Sequence, residues 1–257
     1  MGFCYKNNII ELERNFTYEA NVEEGKFEEI LREDINNEKF IIQLKFNESN
    51  VIKVIKPIIK IDVIHVDTIG STLPASKEYI DQGNTFPFIY NTIIQTAGVG
   101  KGNRKWAGGI VGNLYTSIGI PLNLINSDLK ESKILVKITS ISIIQQLNNY
   151  AKNQFFLKYP NDILCKDKCK FGGILAQKYK DFYIIEFEIN IVDKPEQDQI
   201  KSDELSPCYV KAHLPDDIDP PTSLNLSIEI IKYILYNLNL TIEQIDSLFI
   251  RYLIKNE

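Results

Sequence analysis

A glycine-rich segment between two apolar stretches constrains the fold of this chain more than any other feature. Residues 95–106 read Gln-Thr-Ala-Gly-Val-Gly-Lys-Gly-Asn-Arg-Lys-Trp, and apolar residues at 88–95 and 114–120 predict a strand on each side. A Walker loop needs Ser or Thr after Gly-Lys, but Gly100-Lys101 is followed by another glycine. A dinucleotide fingerprint needs a helix from the third glycine, and Trp106-Ala-Gly-Gly does not predict one. Neither familiar phosphate-binding motif is present.

The same segment nevertheless has the chemistry of an anion site. Gly98, Gly100 and Gly102 alternate, so successive backbone N–H groups can approach a ligand closely. The basic side chains Lys101, Arg104 and Lys105 add positive charge, and Trp106 adds one flat aromatic face. These residues predict a site for a nucleoside triphosphate or an acyl phosphate. The alternative is a surface loop with ordinary charges.

A second polar cluster follows a predicted strand at 155–159. In Lys158-Tyr-Pro-Asn-Asp162, the proline would present Asn161 and Asp162 to a ligand or to Mg²⁺. In Lys170-Phe-Gly-Gly-Ile-Leu175, a lysine directly precedes two glycines and an apolar strand. That position suits a lysine drawn partly into a pocket and balanced by bound anions. Taken separately, a turn and a solvated lysine are the alternatives.

The rest of the pattern predicts an α+β fold with a mixed, mainly antiparallel sheet and helices packed on it. Thr241 with Gln244 three residues later predicts a capping box at the start of the last helix. Residues 58–257 form the predicted main domain, and residues 1–57 an extension of unknown role or the edge of that domain. The predicted strands lie at 58–66, 155–159, 171–177 and 182–192. One helix is predicted to begin at Ser71-Thr72-Leu73-Pro74, and three others are predicted at 130–152, 223–238 and 242–255.

Charge and composition exclude several classes of protein. The net charge of −5 argues against nucleic acid as the main partner, because phosphate binding needs a basic face. The apolar stretch 51–66 is interrupted by Lys53, Lys56, Lys60 and Asp62, so it does not predict a membrane span. No signal peptide is visible, and we expect a cytoplasmic protein.

The four cysteines do not predict a metal site. Cys165 and Cys169 are four residues apart, but a zinc site usually shows two closely spaced ligand pairs. The two histidines, His65 and His213, both lie away from that pair along the chain. We therefore expect reduced thiols, and histidines that serve as core or surface residues and not as bases.

Together the polar clusters resemble the biotin protein ligase family (biotin–[acetyl-CoA-carboxylase] ligase or holocarboxylase synthetase), specifically its catalytic domain. That family has Gly-Arg-Gly-Arg-Arg-Gly-Arg-x-Trp followed by Asn-Leu-Tyr-x-Ser, and here residues 98–106 and 112–117 are similar to it. Its second motif, Lys-Trp-Pro-Asn-Asp with Lys-x-x-Gly-Ile-Leu, corresponds to residues 158–162 and 170–175. A Ser-Thr pair before a helix corresponds to Ser71-Thr72.

The resemblance implies the biotin/lipoate ligase catalytic fold, which is similar to class II synthetases, and a two-step reaction. The biotin carboxylate attacks the α-phosphate of Mg²⁺-bound ATP to give biotinyl-5'-AMP, and a lysine of a biotin carboxyl carrier domain then displaces AMP. Whether the protein is a monomer or a homodimer stays open.

The resemblance also implies site residues. Lys170, Lys101 and Arg104 would be catalytic, and Asp162 would meet Mg²⁺. The biotin-binding residues would be Ser71, Thr72, Gln95, Gly98, Val99, Gly100, Lys101, Trp106, Lys170 and Gly173. The adenylate-binding residues would be Gly98, Gly100, Lys101, Arg104, Trp106, Asn161, Asp162, Lys170 and Asn190.

Some positions depart from the family pattern. Val99 and Lys101 stand where the family has arginines, so we expect looser retention of the adenylate, because lysine lacks arginine's planar fork. Glu188 replaces a glycine of Gly-x-Gly-Ile-Asn, so a ligand-facing wall differs, and Leu73 replaces a common asparagine. We also expect neither the C-terminal β-barrel nor the winged helix that some members carry.

Three rival functions are weighed against this one. A lipoate or octanoate ligase of the same fold would carry an Arg-Arg-x-Ser-Gly-Gly-Gly-x-x-x-His loop, which the chain lacks. A degenerate protein that binds biotin without transferring it is favoured by Val99 and Glu188. A serine hydrolase is disfavoured because no Gly-x-Ser-x-Gly motif is present.

Overall fold

In the described part of the chain, nine strands form one sheet, and two short strands form a separate ribbon. The computed structural model describes residues 27–36, 38–46, 58–100, 105–106, 109–196 and 205–254. The strands are β1 (Phe27–Asn36), β2 (Lys39–Phe46), β3 (Ile58–Ile69), β4 (Phe88–Gln95), β5 (Gly98–Val99), β6 (Lys105–Trp106), β7 (Leu114–Pro121), β8 (Phe155–Lys158), β9 (Asp162–Cys165), β10 (Lys170–Tyr179) and β11 (Phe182–Ile189). Their order in the sheet is β1-β2-β3-β4-β7-β11-β10-β9-β8, and β5 pairs with β6.

The sheet is mixed. Among the described strands, β3 and β4 pair in parallel, and the other neighbours are antiparallel. A parallel pair needs a crossover connection, which helix α1 (Thr72–Asp81) supplies between β3 and β4. The predicted α+β class with a mixed, mainly antiparallel sheet is confirmed.

Three more α-helices complete the described structure: α2 (Ser132–Leu147), α3 (Ser223–Asn237) and α4 (Ile242–Tyr252). Short 3₁₀ turns lie at Leu122–Leu124, Ser127–Leu129 and Val210–His213. The Thr241 side chain accepts from Gln244 N, and the Gln244 side chain accepts from Thr241 N, so the predicted capping box is confirmed. In the part of the chain that the structure describes, no helix has the length and apolar character to span a membrane.

Strand β11 separates two apolar layers. Ile185 and Phe187 belong to the main core, to which α2 and α3 contribute, while Phe182 and Ile184 belong to a smaller cluster with residues of α1. Full burial of an Ile or Phe side chain stabilises the fold by about 1.5–3 kcal/mol, so the two faces specify the register of β11. On the α1 face, the alternation continues into Glu186, which is also buried. Glu186 therefore occupies a buried position at which the alternation of β11 predicts an apolar residue.

Strands β1 and β2 lie within the predicted N-terminal extension and continue the same sheet beyond β3. Ile42 and Leu44 of β2 are fully buried in the main core. Their alternation with the polar residues Gln43 and Lys45 is typical of a strand with one buried face.

Three short strands do not follow from the sequence pattern. Strand β9 has four residues, and β5 and β6 have two each, which is too short for a hydrophobic period to show. Asp162 follows β8, as the sequence predicts, and it also begins β9.

Candidate active site

The start of helix α1 brings three predicted polar residues together. Ser71 caps the helix, and its Oγ accepts from Leu73 N. Thr72 N donates to Gln95 Oε1 at 2.9 Å, which ties α1 to the end of β4. Thr72 Oγ1 lies 2.8 Å from Ser117 Oγ of β7. All four side chains are buried, so this part of the site is a closed polar surface.

A pair of buried carboxyl groups extends this polar surface along β11. Glu188 accepts a hydrogen bond from Gln95 Nε2, and Glu186 Oε1 accepts from Ser71 Oγ at 3.4 Å. The second oxygen of Glu186, Oε2, is buried and has no hydrogen-bond partner among the described residues. Residues two apart on a strand share a face, so we call Glu186 and Glu188 the carboxyl pair.

Burial governs the protonation of this pair. Burial raises the pKa of Glu186 to about 7, although Ser71 and Lys77 oppose the rise. Burial and then the nearby Glu186 raise the pKa of Glu188 well above its usual range, against the opposing effects of Gln95 and Lys170. The pair therefore holds at least one proton near neutrality and can both donate and accept hydrogen bonds.

Sequence reasoning noted Glu188 as a departure but gave no role to Glu186. The signal was present in the strand Phe182–Ile189, in which two glutamates alternate with apolar residues. An acidic residue at the inward positions of an otherwise apolar strand predicts a buried acid, and such acids cluster at functional sites.

The glycine-rich segment approaches the carboxyl pair from β4. Gly98 pairs with Trp106 in the β5–β6 ribbon. A Cβ at Gly98 would lie 2.8 Å from Gln95 Nε2, 3.0 Å from the backbone carbonyl of Trp106 and 3.1 Å from Glu188 Oε1, so any larger residue would crowd this part of the site. Val99 is exposed and Gly100 is partly exposed. The predicted site residues Lys101 and Arg104 lie outside the described residues.

Lys170 forms the cationic side of the site. Its Nζ lies 2.7 Å from Asp162 Oδ1 and 5.5 Å from the centre of the Trp106 ring. Gly173 pairs with both Asp162 and Glu188, and a Cβ there would lie 3.6 Å from Lys170 Nζ. Trp106 Nε1 is buried without a hydrogen-bond partner in the described part of the chain.

Asn161 and Asn190, the other predicted contacts, serve the scaffold in this structure. The backbone carbonyl of Asn161 accepts from Ile174 N at 3.0 Å, while its side chain is partly exposed. Asn190 is buried and donates Nδ2 to the carbonyl of Cys208 at 3.1 Å.

The fold brings one of the two histidines to the cysteines. His213, 44 residues beyond Cys169 along the chain, lies beside Cys165 and Cys208 in space. The fold brings the 205–213 segment against β10, which no sequence spacing indicated. His65 lies elsewhere, with Nδ1 2.8 Å from Asn91 Oδ1, and burial lowers its pKa.

The geometry joins a buried surface of hydrogen-bonding groups to a cation that is about one-quarter exposed. Such a site can hold an elongated ligand with a polar head against the carboxyl pair and an anionic group near Lys170.

Comparisons with known proteins agree with this description. Residues 82–211 match the model of the biotin/lipoate A/B protein ligase family. The chain is similar in structure to Leishmania major biotin protein ligase in complex with biotinyl-5-AMP, with a TM-score of 0.67, 20% identity, and coverage of 76% of this chain and 83% of that chain.

Two bacterial structures are also similar. For Helicobacter pylori biotin acetyl coenzyme A carboxylase synthetase with bound biotinylated ATP, the TM-score is 0.54 at 21% identity, covering 72% of this chain and 78% of that one. For Aquifex aeolicus biotin protein ligase in complex with biotin and ATP, it is 0.54 at 24% identity, covering 68% and 69%. At these identities the likeness establishes a shared fold.

Proposed function

The chain belongs to the biotin/lipoate A/B protein ligase family, and from that premise we propose that it joins biotin to a lysine of an acceptor protein at the expense of ATP. The observation that carries the proposal is a buried acceptor, Glu186 Oε2, that has no hydrogen-bond partner among the described residues. The neighbouring Glu188 connects it to the cation of Lys170, with which Glu188 interacts. Biotin matches both, because its ureido ring has two N–H donors and its side chain ends in a carboxylate.

The carboxyl pair favours biotin over lipoate within this family. The dithiolane ring of lipoate has no N–H group, so it would leave Glu186 Oε2 buried and unpaired. An unsatisfied buried polar group costs about 1–3 kcal/mol, and sites built to bond a polar group discriminate strongly against analogues that lack it. A ureido N–H would meet this acceptor.

Lys170 would supply the charge needed for the first chemical step. An oxygen of the biotin carboxylate attacks the α-phosphorus of ATP, the bond to the β-phosphate oxygen breaks, and pyrophosphate leaves. Both reactants are anions, so a cation beside them lowers their repulsion. The lysine of the acceptor then attacks the carbonyl carbon of biotinyl-5'-AMP, loses a proton and displaces AMP.

Asp162 would hold Lys170 in position for this step. One of its oxygens already contacts Lys170 Nζ, so a single oxygen remains for Mg²⁺. Mg²⁺ is commonly bound by one or two carboxylates together with substrate phosphates and water. In our proposal it enters as part of the Mg·ATP substrate, held chiefly by the nucleotide.

The glycine-rich segment would cover the adenylate. We assign Lys101 and Arg104 to its phosphate and the Trp106 ring to a wall beside it. Exclusion of water would protect the mixed anhydride until the acceptor arrives. The acceptor we propose is a biotin carboxyl carrier domain, whose lysine would reach the site from solvent.

The test is biotin transfer to a carrier domain with Mg·ATP, comparing wild type with Lys170→Ala. Lys178→Ala is the matched control, because it removes an exposed lysine from the same strand. We expect Lys170→Ala to reduce transfer by about a hundredfold or more, the range for a lost charged transition-state contact. Lys178→Ala should transfer biotin at the wild-type rate.

Two other outcomes would replace the proposal. Wild type that labels a carrier with lipoate and not with biotin would establish the other specificity of the family. Wild type that binds biotin by calorimetry but catalyses no biotin-dependent pyrophosphate exchange would be a binding protein. Glu188 favours the binding-protein alternative, because its carboxyl already accepts the hydrogen bond that Gln95 Nε2 could otherwise donate to a ligand.

A further inference from the structure

Three metal-ligating side chains converge behind the strand that carries Lys170. Cys165 ends β9, while Cys208 and His213 belong to the segment that packs beside β10. One ligand atom from each of the three lies within 4.8 Å of the other two. Cys165 is fully buried and Cys208 is buried, and their Sγ atoms are 2.8 Å apart.

Cys169 is close to this group. Its carbonyl accepts from Cys165 N at 3.0 Å and from the thiol of Cys208 at 3.1 Å. Its own Sγ points back to the carbonyl of Asp167 at 3.6 Å, within the β9–β10 turn. Ligation by Cys169 would therefore require its side chain to rotate away from this carbonyl.

We propose that Cys165, Cys169, Cys208 and His213 bind one zinc ion. Zinc in structural sites takes four cysteine or histidine ligands in a tetrahedron, with Zn–S bonds of about 2.3 Å. Tetrahedral geometry then places ligand sulfurs about 3.8 Å apart. The 4.8 Å limit on the three atoms fits this arrangement, and a small opening of the Cys165–Cys208 contact completes it.

A disulfide between Cys165 and Cys208 is the competing interpretation. It would explain two of the four side chains and leave His213 and Cys169 beside it without a role. A zinc ion accounts for all four. The carboxylate of Asp167 lies 4.0 Å from His213 Nδ1, and a small approach would let it accept a hydrogen bond from a ligating imidazole.

Binding would convert three thiols to thiolates and release three protons to solvent. Zn²⁺ with three thiolates and a neutral imidazole has a net charge of −1. Lys194 lies close enough to Cys169 to interact with its charge and would partly neutralise the complex. With four protein ligands, no position stays open for substrate, so the ion is structural.

The ion would stabilise the backbone of Lys170 through the 205–213 segment. Lys170 N donates to the carbonyl of Ser206 at 2.8 Å, and Cys208 N donates to the carbonyl of Lys170 at 2.9 Å. Asn190 Nδ2 donates to the carbonyl of Cys208. Zinc would therefore clamp the 205–213 segment against the strand that positions Lys170, which makes the four ligands positioning residues for the site.

The first experiment measures zinc in the full chain, purified with a non-chelating reductant, by plasma mass spectrometry. We expect one zinc per chain in wild type and near-complete loss in Cys208→Ser and His213→Ala. Cys4→Ser, which changes the remaining cysteine of the chain, is the matched control and should keep one zinc.

Cobalt substitution of wild type tests the site without depending on whether a variant folds, and one variant then tests the role of Cys169. Tetrahedral Co²⁺ with thiolate ligands gives intense visible bands and a sulfur-to-metal charge-transfer band in the near ultraviolet, and Cys169→Ser should lower the charge-transfer intensity by about one-third. Removal of zinc by a chelator should lower Tm by about 5–10 °C, restored by added zinc.

Several results would overturn the proposal. Wild type that takes up neither Zn²⁺ nor Co²⁺ after reconstitution, or Cys208→Ser that retains zinc, excludes the site. A mass 2 Da below that of the reduced chain, with Cys165 and Cys208 joined in a peptide map, establishes the disulfide instead. None of these readouts depends on biotin transfer, so they stand apart from the proposed function.

Discussion

Glu186→Gln isolates the electrostatic cost of the buried carboxyl pair. Burial raises the pKa of Glu186 from 4.5 to about 7, so the folded protein keeps a proton that the unfolded chain has lost. At a pH between these two pKa values, the folded state binds one more proton at Glu186 than the unfolded chain does. The free energy of unfolding therefore falls as pH rises, by about 1.4 kcal/mol for each pH unit from this group alone.

The structure sets the size of the effect. A pKa rise from 4.5 to about 7 corresponds to about 3 kcal/mol of lost stability once the pH exceeds both values. Glutamine has the same shape, has no charge to bury and can keep the contact with Ser71. The stability gained by the variant over wild type should thus grow from near zero at pH 4.5 to about 3 kcal/mol at pH 8.

The assay is urea unfolding of both proteins at pH 5, 6, 7 and 8, followed by circular dichroism. Glu78→Gln serves as the control, because it removes a carboxyl from the exposed face of α1 and reports the effect of one charge. A difference between Glu186→Gln and wild type that stays constant with pH would refute the reasoning. So would a wild type that is the more stable protein at pH 8.

Four further changes have direct expectations. Gly172→Ala places a Cβ 2.8 Å from a backbone carbonyl of β11 and should lower the free energy of unfolding by about 1–3 kcal/mol. In Gly70→Ala the added Cβ meets no atom within 4 Å, so this variant should lose far less stability. Urea unfolding measures both. Thr241→Ala removes the capping box and should cost about 1 kcal/mol in the same assay. Gly98→Ala crowds two polar side chains of the site and should weaken biotin binding in calorimetry by about tenfold or more. Lys101→Arg should slow adenylate release in a filter assay, because arginine binds phosphate with two parallel hydrogen bonds.

Each of these has a contrary result. Equal losses for the two glycine variants of the first comparison would mean that β11 shifts to accept the methyl group. An unchanged unfolding curve for Thr241→Ala would mean that the end of the chain frays before the main transition. Unchanged biotin affinity in Gly98→Ala would place the ligand elsewhere, and unchanged release in Lys101→Arg would remove that residue from the phosphate.

The amino-acid sequence alone determined the long elements and the local signals. Strand 88–95, the helices at 132–147 and 223–237, and the Thr241 capping box were predictable because each depends on neighbours within a few residues. The glycine-rich segment and the lysine at 170 were identifiable because their chemistry is local. The class of fold followed from the order of these elements.

Only the tertiary structure decided which side chains meet. The sequence marks Glu186 as an acid on an otherwise apolar strand, but it does not give its partner. The register of β11 between two apolar layers places Glu186 beside Ser71. His213 and Cys165 are 48 residues apart along the chain. They meet because the 205–213 segment pairs with β10. Such contacts depend on sheet order and register, and these follow from packing of the whole core, which no window of sequence contains.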